Sequence, residues 1–297
     1  MIGESTGNGR GELAEISAGQ VKELREQTGA GMMDCKKALA EANGDMARAL
    51  EILREKGIAK ASKRVGRAGS EGRVIAAVSS DGKTGALVEL NCETDFVAKT
   101  DDFAHVGNEL ARAAFTHTPR SVEDLLDLSV KGEKLRDKVT AAVAKLGEDL
   151  AVRRMTRLEA PGSGFVASYV HAGGKIGTLV AVESSDPPKP EARALAHNVC
   201  MHVAATSPAS LSRDDLSKAA VDAERRVLAA QAASEGKPPQ IVEKMIEGRL
   251  AKFFKEVVLL EQGLVMDPDK TVGKAAQEAG ARVVGYRRFQ LGEAAEE

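Results

Sequence analysis

Several groupings in this chain carry residue types able to do chemistry, and each can be tested against its spacing. In "HNVCMH", His197 and Cys200 share a helical face, while His202 falls five residues from His197 and off that face. Imidazole and thiolate are zinc ligands, but no second ligand cluster stands nearby, so the pair reads as packing within the domain. "AVSSDGKTG" ends in Gly82-Lys83-Thr84, the ending of a phosphate-binding loop. Ala77 stands where that loop needs its first glycine, and a strand follows in place of the helix whose N-terminus would hold phosphate. A hairpin turn is the better reading. Carboxylates are spread along helical faces with no pair set apart for acid–base work, and no nucleophile elbow, HExxH or dinucleotide fingerprint occurs. These residues predict no catalytic centre, no metal and no cofactor.

Two other groupings suit contact with a partner. "GAGMMDCKKAL" places Met32 and Met33 side by side at a helix entrance, where consecutive residues point about 100° apart and both cannot face one core. One of them is expected outside, either as a partly covered surface residue or as an adaptable apolar contact. "NCETDFVAK" places Phe96 where a strand gives way to a helix, in a chain with only seven Phe, two Tyr and no Trp. Phe103 lies seven residues on, and a continuous helix would bury both. Thr100-Asp101-Asp102 is a fresh N-cap signal, however, and restarts the helix there. Phe96 then reads as a projecting wedge.

The elements that must position these residues follow from periodicity. Residues 1–13 form a Gly-rich polar leader with no apolar core, expected to be disordered and neither a signal peptide nor an anchor. Residues 14–57 hold three short helices, the first opened by Ser17 and Gln20 at capping-box spacing and the third capped by Asp45. Residues 58–70, with "AKASKRVGR", form a basic linker. A strand–turn–strand–helix unit occurs twice, as residues 71–158 and 159–213. Gly82-Lys83, Gly85 and Leu87-Val88 return as Gly174-Lys175, Gly177 and Leu179-Val180, and Ala104-His105 returns as Ala196-His197, all 92 residues apart. Both following helices run into Thr118-Pro119 or Ser207-Pro208. At that spacing Thr94 to Val97 corresponds to Asp186-Pro187-Pro188-Lys189, so the second copy makes the connection without an aromatic. Residues 122–150 are expected to be helical and "AVRRMTRLEA" a further strand. In residues 214–262, Leu216, Ala220, Ala223, Val227 and Ala230 form one seam and Val242, Ile246, Leu250, Phe253, Val257 and Leu260 another, giving an antiparallel helical hairpin of coiled-coil type. Residues 263–297 add a short helix, a last strand and an acidic end expected to fray. The fold class is α+β.

Lys+Arg 42 against Asp+Glu 44 leaves a net charge of −2, so no global field favours nucleic acid, and few aromatics are present for base stacking. Three scattered cysteines form no CxxC pair and read as buried thiols in a reducing compartment. No run approaches a membrane span. The expectation is a cytoplasmic protein that acts by protein–protein contact. The rival reading is an RNA-associated or scaffold protein using the basic linker and the helical hairpin, whose binding would collapse with salt.

The motifs "VKELREQTGAGMMDCKKALAEANGD", "NCETDFVAK", "KLGEDLAVRR", "YVHAGGKIG", "GKPPQIVEKMIEGR" and "VMDPDKTVG" together resemble bacterial elongation factor Ts from Ala14 to Gly292. The leader before Ala14 is longer than such factors usually carry. The resemblance implies a nucleotide-exchange factor for the GTPase elongation factor Tu, with a ubiquitin-associated-like N-terminal bundle, a two-part core, an inserted coiled coil and a C-terminal module. It implies that Thr94, Asp95, Phe96 and Val97 dislodge magnesium from the partner. It further implies partner contacts at Met32, Met33, Lys36, Leu146, Gly147, His171, Val265 and Met266. Without the family, His171 reads equally as a solvated hairpin residue.

Overall fold

Short apolar stripes closed by local caps build the N-terminal part of the computed structural model, which describes residues 16–28, 31–53, 69, 71–185, 187–233 and 239–293. The leader, the acidic end apart from Gly292 and Glu293, the basic linker apart from Gly69, and the "SEGKPP" break apart from Pro239 fall outside the described residues. Helix α1 (Ala18–Thr28) opens on a capping box: the Ser17 N–H donates to Gln20 Oε1 at 3.0 Å, and the Gln20 N–H to Ser17 Oγ at 3.2 Å. Helix α2 (Met32–Glu41) ends at Asn43-Gly44, where both residues turn left-handed. Asp45 Oδ1 then accepts from the Ala47 and Arg48 amides and caps α3 (residues 46–53). The three helices share a small core of their own around Leu24, Cys35, Leu39 and Ile52.

Alternation with one wholly buried strand builds the rest. Strand β1 (Glu71–Val78) and β2 (Thr84–Cys92) form a hairpin. The one-turn helix α4 (Asp95–Ala98) leads into α5 (Asp101–His117). Residues 122–150, expected to be continuously helical, divide into α6 (Val122–Asp127), a two-residue hairpin of β3 (Ser129–Val130) and β4 (Glu133–Lys134), and α7 (Leu135–Leu146). Lys131 and Gly132 with positive φ make the tight turn that interrupts the helix. Strand β5 (Ala151–Glu159) pairs antiparallel with β2. Strands β6 (Phe165–His171) and β7 (Ile176–Glu183) form the second hairpin, followed by α8 (Pro190–Thr206). Helices α9 (Lys218–Ala233) and α10 (Pro239–Val257) pack on each other. A small hairpin of β8 (Gly263–Leu264) and β9 (Asp267–Thr271), the helix α11 (Val272–Glu278) and β10 (Arg282–Gln290) complete the chain. Strand β10 pairs antiparallel with β7. The core is a stack of four layers. Helices α5 and α7 cover one face of the β1-β2-β5 sheet, the β10-β7-β6 sheet packs on its other face, and α8 with α11 covers the far side.

The duplication runs deeper than the sequence pattern shows, and in one place it runs differently. The third strands also repeat: Arg154 opposite Glu89 and Val152 opposite Leu90 have Gly285 opposite Ala181 and Val283 opposite Val182 as counterparts. Each third strand has its bulge at the corresponding residue, Arg153 or Val284. The sheets meet across a pseudo-twofold axis. A Cβ on Gly85 would meet Val166 and Leu179 at 3.0 Å, and a Cβ on Gly177 would meet their counterparts Val74 at 2.4 Å and Leu87 at 3.4 Å. The helices, by contrast, match at 89 residues and not 92. The buried residues Phe103, Val106, Gly107, Leu110, Ala111, Ala113 and Ala114 of α5 correspond one for one to Ala192, Leu195, Ala196, Val199, Cys200, His202 and Val203 of α8. Both helices have 17 residues and end on a left-handed hydroxyl residue, Thr118 or Ser207. The Ala104-His105 and Ala196-His197 match is therefore a coincidence of sequence. The first copy carries three extra residues between sheet and helix, and α4 occupies them.

The α9 seam also needs correction. Ala220, Ala223, Val227 and Ala230 are exposed, while Leu228 and Ala232 are buried, so α9 turns a neighbouring stripe inward. On α10 the expected Val242, Ile246, Leu250, Phe253 and Val257 are buried or half-buried.

Candidate functional site

Strand β2 is buried along its length, and Cys92 marks where it leaves the sheet; burial, then the neighbouring Glu148 carboxylate, pushes its thiol up to about 11. Its Sγ lies 3.0 Å from the Thr94 carbonyl oxygen. Thr94 caps α4, accepting from the Val97 N–H at 3.4 Å, and Thr100 caps α5, accepting from the Phe103 N–H at 3.3 Å. Thr100 Oγ1 also donates to the Val97 carbonyl at 2.8 Å, so the two caps sit back to back. Val97 and Ala98 point into the core beside Phe103, and the helix restarts where Thr100 caps it. Phe96 therefore faces away and is 79% exposed. Lys99 donates to Asp95 at 2.6 Å, and this bond holds the Asp95 carboxyl below its ordinary value. The same ammonium lies 6.0 Å from the Phe96 ring centroid. The result is a single turn capped at both ends that presents an acid and an aromatic outward.

A second loop braces this turn. Gly147 ends α7 with φ 78°, a left-handed conformation that costs glycine little. The next residue, Glu148, accepts the Thr94 N–H at 3.0 Å on Oε2 and the Thr94 hydroxyl at 2.6 Å on Oε1. In return the Asp149 N–H donates to Glu93 Oε1 at 3.2 Å. Leu146 is half-buried against the first core and Gly147 is exposed. Helix α7 is fastened to α5 by Lys138 on Glu109, with both oxygens at 2.9 Å, and by Lys145 on Asp102 at 2.8 Å. On another side, Lys175 from the β6–β7 turn binds Glu71 at 2.7 Å and adds to the field that keeps Asp95 charged. His171, exposed in that turn, is oriented by Tyr169, whose hydroxyl lies 2.8 Å from Nδ1.

Of the residues expected from sequence, Thr94 to Val97 and Leu146-Gly147 thus come together through Glu148, and the His171 turn lies along β1. Val97 is buried and anchors the turn from inside. Met32, Met33 and Lys36 sit on the separate three-helix unit. Both methionines are exposed, at 57% and 65%, so the expectation that they cannot both face the core holds, and neither does, because the stripe of α2 begins at Cys35. Val265 and Met266 tip the β8–β9 hairpin and are exposed. That tip is held from within by His202, whose Nδ1 accepts the Val265 N–H at 3.2 Å while Nε2 meets Gln262 Oε1 at 2.9 Å. Sequence reasoning missed both Glu148 and His202. Glu148 reads as an ordinary turn carboxylate, because its partner lies 54 residues away.

Among the described residues no three His, Cys, Asp or Glu gather as metal ligands, and no helix is long and apolar enough to cross a membrane. His197 lies edge-on to Tyr169, with ring centroids 5.8 Å apart, and Cys200 is buried with its thiol pushed up to about 12.

The family model "Elongation factor TS" matches residues 93–293. Proteins named elongation factor Ts are similar along nearly the whole chain. That of Thioalkalivibrio sulfidiphilus is 45% identical over 95% of this chain and 94% of its own. That of Clostridium acetobutylicum is 46% identical with the same coverage. That of Micrococcus luteus is 46% identical over 94% of this chain and all of its own. With one continuous match from the α4 turn to the end of β10 and relatives this close over both copies of the core, the chain belongs to the elongation factor Ts family of translation elongation factors.

Proposed function

We propose that the chain promotes guanine-nucleotide exchange on elongation factor Tu without covalent chemistry. It binds the GDP-loaded GTPase, presses Asp95 and Phe96 against the elements that support the bound magnesium ion, and stays bound until GTP enters. A GTPase holds its nucleotide through backbone donors, a lysine and a bridging magnesium, so shifting the supports of the ion weakens all of these together. Linkage makes the effect reciprocal: a factor that lowers nucleotide affinity is itself expelled by nucleotide. Met32, Met33 and Lys36, Leu146 and Gly147, His171, and Val265 and Met266 supply the surrounding contacts. On this reading the N-terminal helices are a ubiquitin-associated-like unit, the α9–α10 hairpin is a coiled coil, and the protein works in the cytoplasm. The rival reading of an RNA-associated scaffold has no observation in its favour, and its basic linker lies outside the described residues.

The observation that carries the proposal is the 79% exposure of Phe96 on a one-turn helix capped at both ends. The test is Phe96→Ala. Truncating a buried Phe costs about 3–5 kcal/mol, whereas this variant is expected to melt within a few degrees of the wild type. Release of labelled GDP from the GTPase should slow sharply, and chelating magnesium should erase most of the difference. A folded variant exchanging at the wild-type rate refutes the wedge.

A further inference from the structure

We infer that Glu148 is a positioning residue for the wedge: it stiffens α4 so that docking becomes distortion of the partner, without itself needing to touch the partner. The inference rests on the exchange reading above and concerns a residue that reading leaves without a role. A four-residue helix has no stability of its own, because forming its first turn is the costly step. Its inner side is held by Val97 and Ala98, and its exit by Thr100. Its entrance depends on Thr94 alone, and both donors of Thr94 go to the two oxygens of one carboxylate.

That arrangement also orients the cap. A hydroxyl has one proton, and when Glu148 takes it a lone pair is left for the Val97 N–H. Without Glu148 the hydroxyl is free to rotate, and the long 3.4 Å cap bond is the first to go. The reciprocal bond from the Asp149 N–H to Glu93 doubles the link between the two loops. The load reaches α5 through the Lys138–Glu109 and Lys145–Asp102 pairs. A compliant tip can still bury Phe96 against the partner, but it yields where a stiff one would push. Only free energy expressed in the distorted state speeds release.

The inference predicts a split between two kinetic quantities, measured by titrating the full-length factor against the GDP-loaded GTPase. In Glu148→Ala the plateau rate of GDP release should fall about tenfold, as expected for lost bonds to a charged acceptor, while the half-saturating concentration stays within about twofold. Glu148→Gln keeps one oxygen for the Thr94 hydroxyl and should lose only about threefold of the plateau. A plateau unchanged in Glu148→Ala overturns the inference, and so does a raised half-saturation with the plateau intact, which would make Glu148 a direct contact. If the alanine variant fails to fold, the glutamine variant decides: a reduced plateau supports the inference and a wild-type plateau overturns it. Phe96→Ala in the same series separates the two levels. If Phe96→Ala leaves exchange untouched, the wedge itself fails; if only the Glu148 variants do, the bracing fails alone.

Discussion

His202 sits in α8 with both ring nitrogens engaged, one accepting from the Val265 backbone and the other bound to Gln262, which in turn donates to the Glu256 carbonyl at 2.7 Å. An imidazole that accepts at Nδ1 is neutral there, and burial holds its pKa below the ordinary 6.5. The unfolded chain therefore takes up a proton near that pH which the folded protein refuses. The stability contributed by neutral His202 is fully present above pH 6.5 and declines as pH falls toward the depressed folded value. Urea unfolding across pH 7.5 to 5 should show that slope in the wild type and a smaller one in His202→Asn. Met32 and Met33 behave oppositely: both are exposed, so replacing the pair with Ala should change stability by about 0.5 kcal/mol or less while weakening association with the GTPase. A drop of many degrees in Tm would make them core residues. The exposure of Phe96 was legible in the sequence because a cap signal at Thr100 isolates it from Phe103. Glu148 and His202 were not, because nothing local distinguishes a carboxylate or imidazole whose partner is brought in by the fold.

The α9–α10 hairpin leaves and rejoins the core at neighbouring points, with the Ala209 N–H donating to the Val257 carbonyl at 2.9 Å. Its far boundary lies earlier than the sequence suggested. Val258, Leu259 and Gln262 are buried, the Leu259 N–H donates to Ser210, and Arg213 binds both oxygens of Glu261 through its Nε and Nη2 while stacking over Phe254 at 4.4 Å. Replacing residues 218–255 with a short linker should leave a cooperatively folding core that retains most exchange. Removing residues 214–262 should cost several degrees more, since it deletes Leu259 and the Gln262 hub. Differential scanning calorimetry of the two deletions makes the comparison. Apolar periodicity located α10 correctly because its stripe is built from large side chains. It misplaced the stripe of α9 because alanine fits either face, so the single Leu228 decides the rotation. The β3–β4 and β8–β9 hairpins escaped because strands of two to five residues are too short to show alternation.

Across the whole molecule, the two sheets share one apolar interface built from paired positions of the two copies, so they should unfold in a single transition. Gly177→Ala forces a Cβ to 2.4 Å from Val74 Cγ1, against 3.0 Å for the closest contacts of Gly85→Ala. Both should destabilise through overpacking, by about 1–3 kcal/mol, with Gly177→Ala the worse of the two in denaturant titration. The duplication was legible in its hairpins. The offset of its helices was hidden, because three inserted residues shift one register while an accidental Ala-His match preserves the other. If the exchange reading holds, that insertion also sets the valency. A duplicated scaffold would ordinarily offer two equivalent faces and so take two partners. Among the described residues the second copy passes from β7 to α8 with no counterpart of α4, so on the proposed reading each chain offers one aromatic wedge, Phe96. The free protein leaves that ring in water and forgoes about 1.5–3 kcal/mol of burial until a partner covers it. Titration calorimetry should therefore find one GTPase per chain, with a negative heat-capacity change that shrinks when Phe96 is removed.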